Sequence, residues 1–366
     1  MGDKQSSLES VEVSLSFWRD KKVFLTGHTG FKGSWLSLWL QSLGSDVTGY
    51  ALDPTTHPNL FEIAKVNKHM RSVIGDIRNL DALKKAMKEA NPDIVIHMAA
   101  QPLVRYSYSH PVETYATNVM GTVHVLEAAR ENKNIKAILN VTSDKCYDNK
   151  EVNRGYKEDE PMGGFDPYSN SKGCAELVTS AYRNSFFNIE KYEEHGVALG
   201  TGRAGNVIGG GDWAEDRLVP DLFRAFINKK SVVIRNPNAI RPWQHVLEPL
   251  RGYLTLAEKL YNEGPRFAES FNFGPHESDA KPVEYIANYL VNLWQDGAAW
   301  SHDKTEQPHE AHYLKLDIHK AKDHLGWEPH LSLDEALRYT FDWYRAYEKK
   351  EDMHEVTMKQ IKDYLN

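Results

Sequence analysis

Tyr168 and Lys172 are separated by Ser169, Asn170 and Ser171. On an α-helix that spacing sets both side chains on one face, with the ammonium close to the phenol. A phenol ionises near pH 10 and is a poor base at neutral pH unless a nearby cation stabilises the phenolate. The pair therefore suits removal of a proton from an alcohol. Alone, a Tyr-x-x-x-Lys pattern is usually a surface helix pair, so its meaning depends on its surroundings. Ser143-Asp144-Lys145-Cys146-Tyr147 supplies a hydroxyl, a carboxyl and an amine in succession, just after the apolar run Ala137 to Val141. In an open α/β sheet, ligands bind at the carboxyl ends of strands, which is where this stretch would lie.

A third group lies near the start. Gly27, Gly30 and Gly33, with Thr29 and Phe31 between them, follow the apolar run Lys22 to Thr26 and open a helix-like stretch. Glycines there let backbone N–H groups approach a pyrophosphate at the positive end of the helix. Lys32 precedes Gly33 rather than following a glycine, so the order of a P-loop ATPase is absent. Asp53, closing the second strand, sits where an acid accepts from the adenosine ribose and repels a 2′-phosphate, which favours NAD over NADP. Asp76 and Ile77 follow the third strand candidate, where Asp76 would meet the adenine or cap a helix.

These residues need a scaffold that alternates strand and helix. Strand-like runs recur at residues 22–26, 46–52, 71–74, 94–97, 137–141 and 196–201, with helical patterns between them such as 81–89 and 119–131. The expected fold is a doubly wound parallel α/β sheet spanning residues 18–203, with the chain returning to it in parts of 230–275. Residues 204–366 read as a smaller mixed α/β lobe rich in glycine and proline turns.

Composition narrows the classes. The net charge of −7, with scattered basic residues, argues against nucleic acid as a partner. Cys146 and Cys174 are the only cysteines, too few for a disulfide framework, which suits a cytoplasmic enzyme. The polar segment up to Phe17 reads as a tail, and no run is long and apolar enough for a membrane span. His309-Glu310-Ala311-His312 spaces its histidines three apart instead of four, so no metal site is expected. Read as part of a strand, Cys146 would point away from Lys145 into packing.

The sequence resembles the extended short-chain dehydrogenase/reductases that act on nucleotide sugars. Thr26 to Gly33, His97-Met98-Ala99-Ala100-Gln101, Thr117 to Thr122, Tyr168 to Lys172 and Leu325-Gly326-Trp327-Glu328-Pro329 fall in that family's order. The resemblance implies that Ala99, Ala100 and Gln101 line the nicotinamide side of the cofactor, with Asn118 as structural support. It makes Ser143 the hydroxyl of the catalytic triad and implies a homodimer through a four-helix interface built on 111–131 and 167–187.

Among members, hexose 4,6-dehydratases carry Asp directly after this hydroxyl residue, and epimerases lack it. Lys145, together with Ile240 to Val246, resembles the branch that dehydrates CDP-D-glucose, an activity of deoxysugar and surface-polysaccharide synthesis. The alternatives are a nucleotide-sugar 4-epimerase, a dehydratase of another nucleotide hexose, and a non-catalytic NAD-sensing regulator. In a dehydratase, Tyr168 and Ser143 would oxidise C4 with NAD, and Asp144 would protonate the departing C6 hydroxyl. A free lysine is neutral at pH 7 only at the level of ~1 part in 10³. Lys145 would thus be the C5 base only if strongly desolvated beside a protonated Asp144, and otherwise a cation facing the enolate. In the second lobe, Asn206, Arg217 and Arg241 occupy places where the family contacts sugar and diphosphate, and arginine forks suit phosphate. Trp243 and His245 either touch substrate or pack the lobes together.

Overall fold

Neighbouring residues in a strand face opposite sides of a sheet, so a continuous apolar run needs cover on both faces. The computed structural model, which describes residues 13–303 and 313–365, supplies that cover. In β1 (Lys22–Thr26), Val23 and Leu25 enter one core while Phe24 enters another. The chain continues through α1 (Phe31–Ser42), β2 (Asp46–Ala51), β3 (Arg71–Ile74), α2 (Leu80–Ala90), β4 (Ile94–His97), α3 (Gly121–Arg130), β5 (Ala137–Val141), α4 (Pro167–Ser185) and β6 (Ala198–Ala204). α1 covers the first face through Trp35 and Trp39. α2 and α3 cover the second through Leu83, Met87, Val125 and Leu126.

The second lobe begins with α5 (Leu218–Ile227), after which the chain returns to the sheet. α6 (Leu247–Glu263) is buried along most of its length on the β1 side. β7 (Ser270–Phe273) pairs in parallel with β6. The sheet thus has seven parallel strands in the order β7-β6-β5-β4-β1-β2-β3, a doubly wound fold whose order reverses between β1 and β4. α7 (Val283–Trp294), α8 (Leu333–Glu348) and α9 (Met353–Leu365) complete the chain. Phe223 of α5 stacks on Tyr344 of α8 at 4.1 Å between ring centres, with Trp294 at their side.

Three expectations change. The ordered chain starts before residue 18, because Val13 is buried and Ser14 caps a single turn, Leu15–Trp18, that sinks Trp18 into the core. Asp144–Cys146 is a 3₁₀ turn and not a strand, so alternation does not explain why Cys146 is buried. It packs in a small cluster with Tyr147, Tyr156 and Leu316. Pro111–Tyr115 and Ala116–Met120 precede α3 as one α-helical and one π-helical segment. His309 to His312 lie outside the described residues, and the described residues hold no cluster of metal-ligating side chains. Among the described residues no helix is long and apolar enough to cross a membrane.

Candidate active site

The glycine turn joins β1 to α1. Gly27 has φ +80°, and a Cβ there would stand 2.8 Å from the Ala99 nitrogen. A Cβ on Gly33 would fall 2.0 Å from the Gly27 carbonyl oxygen, which no relaxation accommodates. Gly30 is the N-cap of α1 and offers no side chain to the first N–H groups, leaving them to an external anion. Thr29 Oγ1 donates to the Leu52 carbonyl at 2.8 Å, which ties the turn to the end of β2, where Asp53 is exposed. The backbone therefore fits a dinucleotide pyrophosphate with an acid beyond it.

Asp76 and Ile77 each have partners within the protein. Arg78 grips the Asp76 carboxylate with Nη2 at 2.6 Å and Nε at 2.9 Å, and this bonding holds the carboxyl below its usual range. Ile77 is buried against Gly121. Ala99 is anchored through its N–H to Thr26 Oγ1 at 3.2 Å. Asn118 accepts from the Gln101 N–H at 2.8 Å and donates to Ser171 Oγ at 2.8 Å, so it clamps the loop 99–101 to α4. The Gln101 side chain serves that loop, donating to Thr114 and accepting from the Leu103 N–H.

Asp166 caps α4 and Pro167 starts it, placing Tyr168 and Lys172 on its buried face. Lys172 Nζ donates to the Val141 carbonyl at 3.5 Å, and burial lowers its pKa to about 8 against an upward pull from Glu176. Burial raises the Tyr168 phenol, while the Lys145 ammonium and the Ser143 hydroxyl oppose the rise. Asp144 adds to it and Arg217 opposes it. Lys145 and Arg217 are thus cations that act on the phenol. Lys172, one turn further along α4, lies at the end of β5.

Ser143 caps the Asp144–Cys146 turn and donates to Asp144 Oδ1 at 2.9 Å. Lys145 Nζ reaches the same oxygen at 3.3 Å and Asn206 Oδ1 at 3.4 Å. Asp144 is fully buried, and among the described residues its Oδ2 has no hydrogen-bond partner. An orphaned buried carboxyl oxygen costs about 1–3 kcal/mol. Ser143, Asp144, Lys145, Tyr168, Asn206, Arg217, Arg241 and Trp243 line one cavity of about 800 Å³ between the lobes. Arg217 is held by Asp212 at 2.9 Å. Arg241 donates to the Ile240 carbonyl at 3.0 Å. His245 is a packing residue, fully buried edge-on between Trp35 and Tyr339, with burial lowering its pKa to about 3.

Three features escaped the motifs. Lys32, in the glycine turn itself, lines the same cavity, and its Nζ lies 5.8 Å from the Tyr253 ring centre. Burial lowers its pKa to about 7, aided by Lys172 and Arg217. Its neighbourhood in the turn was the available signal. Behind α4, Glu176 and Arg203 form a buried pair at 2.9 Å, joined by Thr201 and Thr142. Burial pushes the Glu176 carboxyl up, but Arg203 and the hydroxyls outweigh it and hold it low. Asp216 and Arg235, at the cleft's other end, meet at 3.1 Å. No spacing links the members of these pairs.

The GDP-mannose 4,6 dehydratase family model matches residues 24–340. A protein of Salmonella typhimurium strain LT2 named CDP-glucose 4,6-dehydratase is 59% identical over 354 residues, covering 97% of this chain and 99% of its own. Among solved structures, a UDP-glucose 4-epimerase of Thermotoga maritima with UDP-glucose has a TM-score of 0.76 at 22% identity, covering 89% of this chain and 99% of its own. A dTDP-glucose 4,6-dehydratase of Bacillus anthracis in complex with NAD has a TM-score of 0.72 at 22% identity, with 90% and 98% covered. At that identity the two structures speak for the fold alone. The match across most of the chain, with Ser143, Asp144 and Tyr168 brought to one cleft, places it: the chain belongs to the GDP-mannose 4,6 dehydratase family, within the extended short-chain dehydrogenase/reductases.

Proposed function

We propose that the protein is a CDP-D-glucose 4,6-dehydratase that forms CDP-4-keto-6-deoxy-D-glucose, a precursor for deoxysugars of surface polysaccharides made in the cytoplasm. The observation that carries this reading is Asp144: a buried carboxyl beside Ser143 and Tyr168 in the cavity wall, with Oδ2 unpartnered among the described residues. An epimerase needs no such acid. The 59% identity to the Salmonella relative supports CDP-glucose as the substrate.

The turn Gly27–Gly33, Asp53 and the 99–101 loop would hold NAD, which when bound takes a hydride from C4 and later returns it to C6. Tyr168 takes the C4 hydroxyl proton while Ser143 holds the oxygen. The Lys145 and Arg217 charges favour the phenolate this requires. Once C4 is a ketone, the C5 proton is acidic; a water molecule serves as the base that takes it, while Asp144, entering protonated, gives its proton to the departing C6 hydroxyl. Lys145, set between Asp144 and Asn206, faces the enolate as a cation. Arg217 and Arg241 meet the diphosphate.

The active unit is proposed to be a homodimer. Val112, Met120 and Leu177 are 81%, 48% and 59% exposed on the segment leading into α3 and on α4. Apolar side chains on adjacent helices suit a self-complementary four-helix contact.

The test is incubation with CDP-, dTDP-, UDP- and GDP-hexoses, with products read by mass spectrometry and NMR. A 4-keto-6-deoxy product from CDP-glucose is expected. A C4 epimer alone would refute the dehydratase reading, and preference for another nucleotide would refute the CDP assignment.

A further inference from the structure

The cleft that holds Ser143, Asp144 and Tyr168 extends into the second lobe, where the start of α5 and residues 232–236 form its wall. Two opposite charges stand together there. Arg235 Nη1 lies 3.1 Å from Asp216 Oδ1, and Arg105, reaching across from the segment after β4, meets the same oxygen at 3.5 Å. All three line the cavity. Asp216 has φ +60°, a left-handed conformation that Asp and Asn tolerate best among residues with a side chain.

The order of groups along a nucleotide hexose determines what reaches this end. The reacting carbon must lie at Tyr168. Arg217, on the same cleft wall, is the group proposed above to meet the diphosphate. The nucleoside is then carried past Arg217, and the next wall is Leu218, Val232 and Ile234, an apolar surface for a flat ring, edged by Asp216 and Arg235. Asp221, in the first turn of α5, lines the same wall as Asp216 and Arg235.

We infer that Arg235 and Asp216 read the Watson–Crick edge of a cytosine, which rests on the nucleotide-hexose substrate proposed above. The Arg235 fork donates to O2 and N3, and Asp216 accepts from the 4-amino group. Both arginine contacts to Asp216 fall on Oδ1. Oδ2 is left to receive the amine. Uracil and thymine place N3–H against the guanidinium and O4 against the carboxylate, so two like groups face each other at both positions. A site built from paired donors and acceptors rejects the wrong partner because its own groups are then left unmatched. Arg105 is a positioning residue that holds Asp216 from the opposite wall.

Arg235→Leu and Asp216→Asn test this. Calorimetric titration with CMP and UMP reads base preference apart from catalysis, and kcat/KM for CDP-glucose and UDP-glucose reads it in turnover. The parent is expected to prefer CMP. Arg235→Leu loses roughly 10- to 100-fold in CMP affinity, the worth of one bidentate base contact, with UMP little changed. Asp216→Asn, compatible with the positive φ, shifts the CMP-to-UMP ratio toward UMP because an amide can also donate to O4. An equal loss for both nucleotides in Arg235→Leu, as from an arginine that grips only phosphate, overturns the inference. An unchanged ratio in Asp216→Asn overturns it too. A parent that prefers CMP but forms no 4-keto-6-deoxy sugar would sink the dehydratase reading and leave the base contact standing.

Discussion

Glu176→Gln removes one charge from a pair that is 4% exposed on each side. In the parent, Glu176 accepts from Arg203 Nη2 at 2.9 Å and from the hydroxyls of Thr201 and Thr142. The amide still accepts from one or two of these, but Arg203 then keeps as neutral partners the Tyr147 hydroxyl at 2.7 Å and the Glu158 carbonyl at 3.0 Å. Breaking one side of a buried ion pair costs about 3–5 kcal/mol, because the remaining charge stays desolvated. For a chain of this size the thermal midpoint should fall by about 4–7 °C. Differential scanning fluorimetry of Glu176→Gln, Arg203→Met and the double variant measures the coupling, and the double variant should lose at least about 2 kcal/mol less than the sum of the singles. The same substitution reaches the site, since the Glu176 charge raises the Lys172 pKa. Without it Lys172 loses its proton at lower pH, and the alkaline limb of kcat/KM should move down. Additive stability losses, with an alkaline limb that does not move, would refute the reasoning that this pair supports both α4 and its lysine.

Lys145→Met should abolish dehydration while leaving C4 oxidation measurable, with C5 deuterium exchange slowed by roughly 10²–10⁴ if the ammonium stabilises the enolate; near-normal exchange would remove Lys145 from that step. Lys32 has a folded pKa of about 7 against 10.5 in a free chain, so the folded state binds fewer protons between those values. Its destabilising effect is greatest below pH 7 and fades toward pH 10.5. Lys32→Met should therefore stabilise the ligand-free protein at pH 6 by an amount on the order of 1–2 kcal/mol and much less at pH 10, and urea unfolding at the two pH values that shows equal shifts would contradict this. Gly33→Ala places a methyl 2.0 Å from the Gly27 carbonyl; dinucleotide binding followed by fluorescence should be lost, and retained affinity would show the turn is not the pyrophosphate site. Val112→Glu with Leu177→Glu should give a monomer by light scattering if α4 and the segment before α3 form the dimer contact.

Several of these tests rest on residues that were plain in the chain. The central strands were legible because both faces of a doubly wound sheet are covered, so Val23 to Leu25, Ile94 to Ile96 and Ala137 to Leu139 must all be apolar. The Tyr168–Lys172 spacing and the glycine turn were legible because the constraint on each is local: a helical repeat in one case, the room for a Cβ in the other. Ser143 and Asp144 were recognised from their place after a strand, although the turn that presents them was not.

What the tertiary structure decided is everything that depends on residues distant in sequence meeting in space. β7, four residues long, becomes the seventh strand because β6 offers it an edge. Arg203 and Glu176 become a pair because β6 lies under α4. Lys32 turns from a residue in a phosphate loop into part of the cavity wall, above Tyr253 of α6. The opening pair is the sharpest case. Its helical spacing set Tyr168 and Lys172 on one buried face of α4, and only long-range packing brought Lys145 and Arg217 to bear on the phenol as well. Local spacing fixes which side chains share a face; the field at an oxygen atom sums over every charge the fold carries to it.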